Sequence, residues 1–429
     1  MNSMLYTFAD FAQQFGPSLL TLGWLLVVWM IFWIAWKTYL LMKMIDFVSA
    51  IEWTFYQITL PDETEETPKS MEVLFELVGG IHKNPDFNEK YFDGYLEAWV
   101  SFEMWFTQQS VKYIMVVPTA HKRLFEGIIY GQYPKADVRE VEDYTLRHHY
   151  KDVRKKFEIW GADMVLASDD IYPIKTYREF EASLAERVPF VDPMQLTVET
   201  LTNVEAGEEF WIQVMVRALD AGVIKEWEKR GEKEIAKISG QAKKSKPGMW
   251  ENFKTFMFAI PGELLTVLFK GPIEITKEKE EKVLRFFNPV DEAKMKGILE
   301  KVSGNGYKVK MRLIHISPVG QMKKPNIGRG IGTFKQFSAW HLNSIKPDSE
   351  TKTNGPNFIF RDRRRYFREK SILLNYQWRD FFGTDSGQMM NSEELATVYH
   401  FPVKYVSSPS VQRAKAGRQA PPANLPYAS

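Results

Sequence analysis

Two stretches gather the side chains best suited to chemistry: a basic run at residues 361–370 (RDRRRYFREK) and the segment NSEELATVYHFP at residues 391–402. In the first, Arg361, Arg363, Arg364, Arg365 and Arg368 are interleaved with Tyr366 and Phe367 and preceded by Phe360. Guanidinium groups neutralise phosphates and aromatic rings stack on bases, so this is the candidate contact with single-stranded nucleic acid. Asp362 and Glu369 inside the run support the plainer alternative, the charged face of a helix that is structural or turned to a partner. In the second, Asn391 is placed to accept from a backbone N–H near Glu394 while that carboxylate reaches back, a capping-box start, and Glu393 adds negative charge at the positive helix end. Leu395, Val398 and Tyr399 then form a short apolar face, and Pro402 ends the element after His400. Nothing in that spacing demands catalysis.

Other reactive patterns fail on spacing. The glycine run GRGIGTFK at residues 328–335 lacks a lysine directly after its last glycine, since Thr333 and Phe334 precede Lys335, so it does not form a phosphate loop. The seven histidines form no spaced ligand set, there is no GxSxG elbow, and the chain has no cysteine. The expectation is no metal, no cofactor and no enzymatic activity; scattered carboxylates leave a hydrolase as a third class without positive support. With 56 basic against 54 acidic residues, a bulk electrostatic nucleic-acid binder is disfavoured.

The elements that must position these stretches begin with a membrane segment. Residues 17–36 (PSLLTLGWLLVVWMIFWIAW) carry no charge, and a helix of that length rises ~30 Å, enough to cross a bilayer core. No Lys or Arg precedes Pro17, as a signal peptide requires, and no polar face marks a core helix. Trp24, Trp29, Trp33 and Trp36 crowd its later half, while Lys37 and Lys43 follow it and only Asp10 precedes it. The expected arrangement is a single pass through the inner membrane with the N-terminus outside and the bulk cytoplasmic.

The remainder reads as α+β, with tandem small α/β sandwiches of ferredoxin-like type after the anchor. An amphipathic stalk continues the membrane helix to about Leu60, giving an anchor at residues 1–60. A first module (61–160) holds a helix, a hairpin broken at Gln108 and Gln109, a second helix and a strand near 136–141. A second module (161–242) holds a helix at 193–202, the strand EFWIQVMVR at 209–217 and a charged helix. A third (273–402) holds a helix ending near Val302, a strand at 307–313 whose Lys308, Lys310 and Arg312 face outward, and a helix at 333–344. Residues 243–272, rich in Phe and following Lys243, Lys244 and Lys246, suit an amphipathic insertion on anionic lipid or against a protein surface. Residues 403–429 read as a flexible linker or tail.

The order of WTFYQITLPDETEETPKSMEVLF (53–75), GQYPKADVREVEDY (131–144), NSEELATVYHFP and RAKAGRQAPPANLP resembles the membrane-proximal region of bacterial conjugation, or type IV secretion-like, proteins. In that family this region stands before a motor ATPase of the HerA and FtsK type, entered through an APPANLP-like linker, whereas this sequence stops at Ser429. The resemblance implies a membrane-bound docking module for such an ATPase, encoded separately or lost; the oligomeric state is left open by the sequence, with a homo-oligomer sharing the motor's symmetry as one option. It assigns no catalytic residue; Asn391, Glu393, Glu394, His400 and Pro402 match its motif as structural or junction positions. The leading expectation is therefore a scaffold, and the runner-up a membrane-tethered guide for single-stranded nucleic acid.

Overall fold

The computed structural model describes residues 2–61, 67–108, 110–182, 192–240, 288–354, 359–383 and 387–402. Helix α1 (Asn2–Ser49) runs unbroken through the charge-free segment. Its stretch from Gly23 is long and apolar enough to cross a membrane, with none of the apolar window buried. Every large side chain from Trp24 to Ile34 is exposed, so this is not a core helix of the folded body.

The body is built on one antiparallel sheet. Its first half comprises β1 (Trp53–Thr59), α2 (Pro68–Val78), β2 (Trp99–Thr107), β3 (Ser110–Pro118), α3 (Lys122–Gln132) and β4 (Asp137–Glu140). The second comprises β5 (Phe157–Leu166), α4 (Tyr177–Ala182), α5 (Pro193–Thr202), β6 (Glu209–Arg217), α6 (Ala221–Ile238), α7 (Pro289–Ser303), β7 (Gly306–Pro318), α8 (Lys324–Lys335) and β8 (Ile345–Pro347). The strand order is β4-β1-β3-β2-β6-β7-β5-β8. Numbered within each half, the strands therefore follow the order 4-1-3-2, and the halves meet where β2 pairs with β6 from Trp99↔Arg217 to Phe106↔Phe210. Then come α9 (Arg361–Gln377), β9 (Gln388–Asn391), which pairs with the start of β7, and α10 (Ser392–Val398).

Helices α2, α3, α5, α8 and α10 cover one face, burying Phe75, Phe125, Val198, Phe334 and Leu395 with Phe102, Phe106, Phe210 and Leu313 of the strands. Side chains of this size contribute roughly 1.5–3 kcal/mol each on full burial. The other face is covered by α9, whose Ile372, Leu373 and Tyr376 pack on Trp105, Trp211, Ile314 and Ile316. With both faces covered, β2 and β6 are buried almost throughout.

Several elements differ from expectation. Residues 53–59, expected as the end of the stalk helix, form β1, because Thr54, Tyr56 and Ile58 alternate inward with Trp53, Phe55 and Gln57. β5 crosses the expected module boundary at 160, and strands of all three expected modules share one sheet. The glycine run lies in α8, and the helix expected at 333–344 is already ending at Lys335. Gly330 is required there by packing, since a Cβ would sit 2.8 Å from the Phe210 ring. Lys310 and Arg312, expected to face outward on β7, are buried under α9. The 243–272 insertion and the 403–429 tail lie outside the described residues.

Candidate functional site

The motif segment folds as an inward clamp. β9 pairs Asn391 with Gly306 and so delivers it as the N-cap of α10. The capping box is complete: Glu394 N–H donates to Asn391 Oδ1 at 2.9 Å, and Asn391 N–H donates to Glu394 Oε2 at 3.2 Å. Glu394 also accepts from Ile174 N–H at 2.9 Å and pairs at 3.0 Å with Lys301 of α7, both side chains fully buried. Lys301 Nζ donates in addition to the Tyr172 carbonyl. Glu393 faces Arg178 at 3.3 Å; burial nevertheless raises its carboxyl above the usual range, and Arg178 works against that rise.

His400 closes the clamp. Its Nδ1 lies 2.7 Å from the Ala396 carbonyl, which can only accept, so Nδ1 carries a proton. Its Nε2 lies 2.8 Å from Asp192, the N-cap of α5, whose Oδ1 also accepts from Met194 N–H. Tyr399 and Phe401 flank it within a ring cluster with Phe102, Tyr113 and Tyr133, and Pro402 is half-buried beyond. Asn391, Glu394 and His400 thus bind α10 to α5, α7 and the loop before α4.

α9 is arranged in the opposite sense. Arg361 and Arg363 are exposed, with Arg363 5.8 Å from the Phe367 ring centre. Arg364 is half-buried. Arg365 and Arg154 both grip the buried Glu369, at 2.7 and 2.6 Å, and Arg368 donates to the Lys352 carbonyl. The loop before β5 adds two residues that sequence reasoning missed: Tyr150, whose ring centre lies 5.7 Å from Lys370, and Arg154, 5.4 Å from that of Tyr366, while Lys370 itself lies 4.2 Å from the Tyr366 ring centre. Phe360 and Phe367 are exposed on the same stretch as these cations, and Trp378 is exposed at the far end of α9.

Beneath α9 a polar row crosses the four consecutive strands β2, β6, β7 and β5 in register, Glu103↔Gln213↔Arg312↔Asp163. Arg312 donates to Asp163 at 2.9 Å and to Gln213 at 3.0 Å, and Gln213 donates to Glu103 at 2.9 Å. Arg379, just past α9, donates to Glu103 at 3.0 Å and also binds Asp143. Burial opposes the charge on Arg379, but the two carboxylates more than offset it and raise its pKa. Burial likewise pushes the Tyr144 and Tyr376 hydroxyls well above the phenol range. A cleft of about 730 Å³ opens beside the row, lined by Asp163, Lys310, Asp348, Glu350, Arg368 and Asn375. Among the described residues no cluster of three or more His, Asp or Glu side chains could hold a metal ion.

The residues expected to anchor the chain sit on α1. Trp24, Trp29 and Trp33 are exposed, Lys37 lies 5.9 Å from the Trp33 ring centre, and Lys43 lies 6.0 Å from that of Tyr39. Trp36 is half-buried against the body.

No curated protein matches this chain. A family model described as a domain of unknown function, DUF8128, matches residues 61–414 and so takes in α2 through α10, including α9 and the clamp at residues 391–402. The chain belongs to the DUF8128 family.

Proposed function

We propose that this protein is a single-pass membrane scaffold whose body lies on the cytoplasmic side and positions a motor ATPase of the HerA/FtsK type in a conjugation or type IV secretion-like DNA-translocation system. The observation that carries this reading is that the described body is held at both ends. At its entry, Val48 and Ile51 pack with Trp53, Trp99, Phe381 and Phe382. At its exit, His400 is bound to Asp192 and Phe401 is packed on Tyr113 and Tyr133. A mount must fix one end relative to the other, and a sheet clamped at both does that. We read its two halves as ferredoxin-like units, on the support of the strand order 4-1-3-2 in each and of the element order β-α-β-β-α-β, which the first half follows directly and the second follows with α6 and α7 added between β6 and β7. Orientation follows from Lys37 and Lys43 after the span. The reading assigns the chain no bond-breaking step and no cofactor.

The test is copurification of the full-length protein with an ATPase of that type from its own cells, repeated after deletion of residues 403–429. Association that is lost on deletion supports the scaffold. No association in any nucleotide state overturns it, and digestion of the body by protease outside intact cells overturns the orientation.

The second reading, a guide for single-stranded nucleic acid, is favoured by the cations and rings of α9 and the loop before β5. Binding of labelled single-stranded DNA that falls steeply with salt, and that weakens in Arg361→Ala/Arg363→Ala, supports it. Binding indifferent to both changes counts against it.

A further inference from the structure

The connection from α2 to β2 runs back along α1. Near the foot of α1, the Tyr95 ring packs on Phe47 at 5.3 Å; Phe92 packs on Trp36 at 5.7 Å, eleven residues and thus about 16 Å higher up the helix. The Tyr39 hydroxyl donates to the Phe92 carbonyl. The connection therefore peaks beside the last residue of the charge-free segment. At that peak Phe87, Tyr91 and Phe92 are 70%, 38% and 43% exposed, with the Phe87 ring centre 4.8 Å from that of Tyr91 and 6.3 Å from that of Phe92, tilted against both.

The peak is built rather than loose. A single π-helical turn (Glu89–Asp93) shapes it, and Glu89 ties it internally by pairing with Lys83 at 2.6 Å and accepting from Asp86 N–H at 3.0 Å. Gly94 closes it at φ +70°, where a Cβ would lie 2.6 Å from the backbone of Lys43 and Met44. Only glycine allows both that dihedral and that approach to α1. Three clustered exposed aromatics are poorly placed in water, but aromatic rings are favoured at the level of lipid headgroups, where Trp33, Trp36 and Lys37 already stand.

We propose that Phe87, Tyr91 and Phe92 form a second membrane contact, seated at the headgroup–acyl boundary of the same bilayer that α1 crosses. This rests on reading α1 as a membrane span. A single helix leaves the body free to swivel; a second point of contact beside it sets the tilt and rotation of the sheet relative to the membrane.

The chain has no cysteine, so single labels can be placed in the full-length protein. Phe87→Cys, Trp29→Cys and Leu146→Cys, each carrying an environment-sensitive fluorophore, are reconstituted in phosphatidylethanolamine–phosphatidylglycerol vesicles. Leu146 is an exposed control near Trp105, at the end of β2 away from α1. The expected result is blue-shifted emission at positions 29 and 87, with several-fold stronger quenching by nitroxide-labelled lipid than by aqueous iodide, and the reverse at 146. If 87 behaves like 146 while 29 is quenched by lipid, the second contact is wrong and the span stands. If 87 is shielded from both quenchers, a protein covers it and the lipid contact is wrong. If 29 is quenched by iodide, the span reading fails and this inference with it.

Discussion

α9 turns Arg361 and Arg363 to solvent beside exposed rings, whereas α10, which follows it in the chain after β9, holds Glu394 and Lys301 together with neither side chain accessible. In sequence both stretches look equally chemical. The difference lies in what each charge meets. Glu394 has a cation, two backbone N–H groups and a helix N-terminus to stabilise it, which leaves it little to offer an incoming molecule. The outermost arginines of α9 have rings and water, and their charge remains available. A stretch rich in chemically capable side chains can thus be a place where the chain is fastened to itself, while freely exposed charge lies elsewhere.

The comparison breaks most visibly at Lys301. Lys301→Met leaves the Glu394 carboxylate buried without its cation, which by the behaviour of such pairs costs about 3–5 kcal/mol. Urea unfolding of the detergent-solubilised protein measures it; a loss below about 1 kcal/mol would mean that α10 is not a clamp. Arg312→Met tests the polar row under α9 in the same way. It removes the guanidinium that donates to Asp163, to Gln213 and to the carbonyls of Asn375 and Asp380, for an expected loss of about 3 kcal/mol.

The same contrast explains what was legible in the sequence. β6 and the β2–β3 hairpin were readable because burial and β-branched or aromatic residues coincide over a continuous run. The capping box was readable because Asn391 and Glu394 are three residues apart. The partners of Glu394 and His400 were not, since Lys301 and Asp192 come from 93 and 208 residues away. β5 was missed because Gly161 and Asp163 interrupt its apolar pattern. Both are explained only by other elements: a Cβ at Gly161 would crowd Ile372 of α9 at 3.1 Å, and Asp163 pairs with Arg312. On β7, Lys310 and Arg312 carried the signature of a solvent face, and nothing local announces that α9 will cover it.

Two buried histidines refine the contrast between satisfied and unsatisfied groups. His400 has a partner at each ring nitrogen; His315 of β7 has a hydrogen bond at neither, among the described residues, and is stacked on Phe210 at 4.3 Å. Glu208 is 3.7 Å away but already accepts from Asn326. Burial, reinforced by the Arg329 guanidinium, lowers His315 to about 4 from 6.5. The unfolded chain therefore binds this proton between those values and the folded one does not, so stability falls as the pH drops through that window. The expected loss from this group is about 2 kcal/mol between pH 7.5 and pH 5, at 1.36 kcal/mol per unit. His315→Leu should remove that part of the slope in urea unfolding followed across the range; an unchanged slope would show that His315 is protonated in the folded state.

The smallest effect on stability is expected where the charge is most exposed. Arg361→Ala/Arg363→Ala should leave unfolding within about 0.5 kcal/mol, because neither side chain closes a buried pair, unlike Arg365 with Glu369. If these residues meet single-stranded nucleic acid, each lost phosphate contact should flatten the salt dependence of binding by roughly 0.7 in the log–log slope. A neutral stability change with a flattened slope makes α9 a binding surface, and a neutral change with no effect on binding makes it a solvated face. A large loss of stability would show that the outer arginines are fastened as firmly as Glu394, and the distinction between the two helices would disappear.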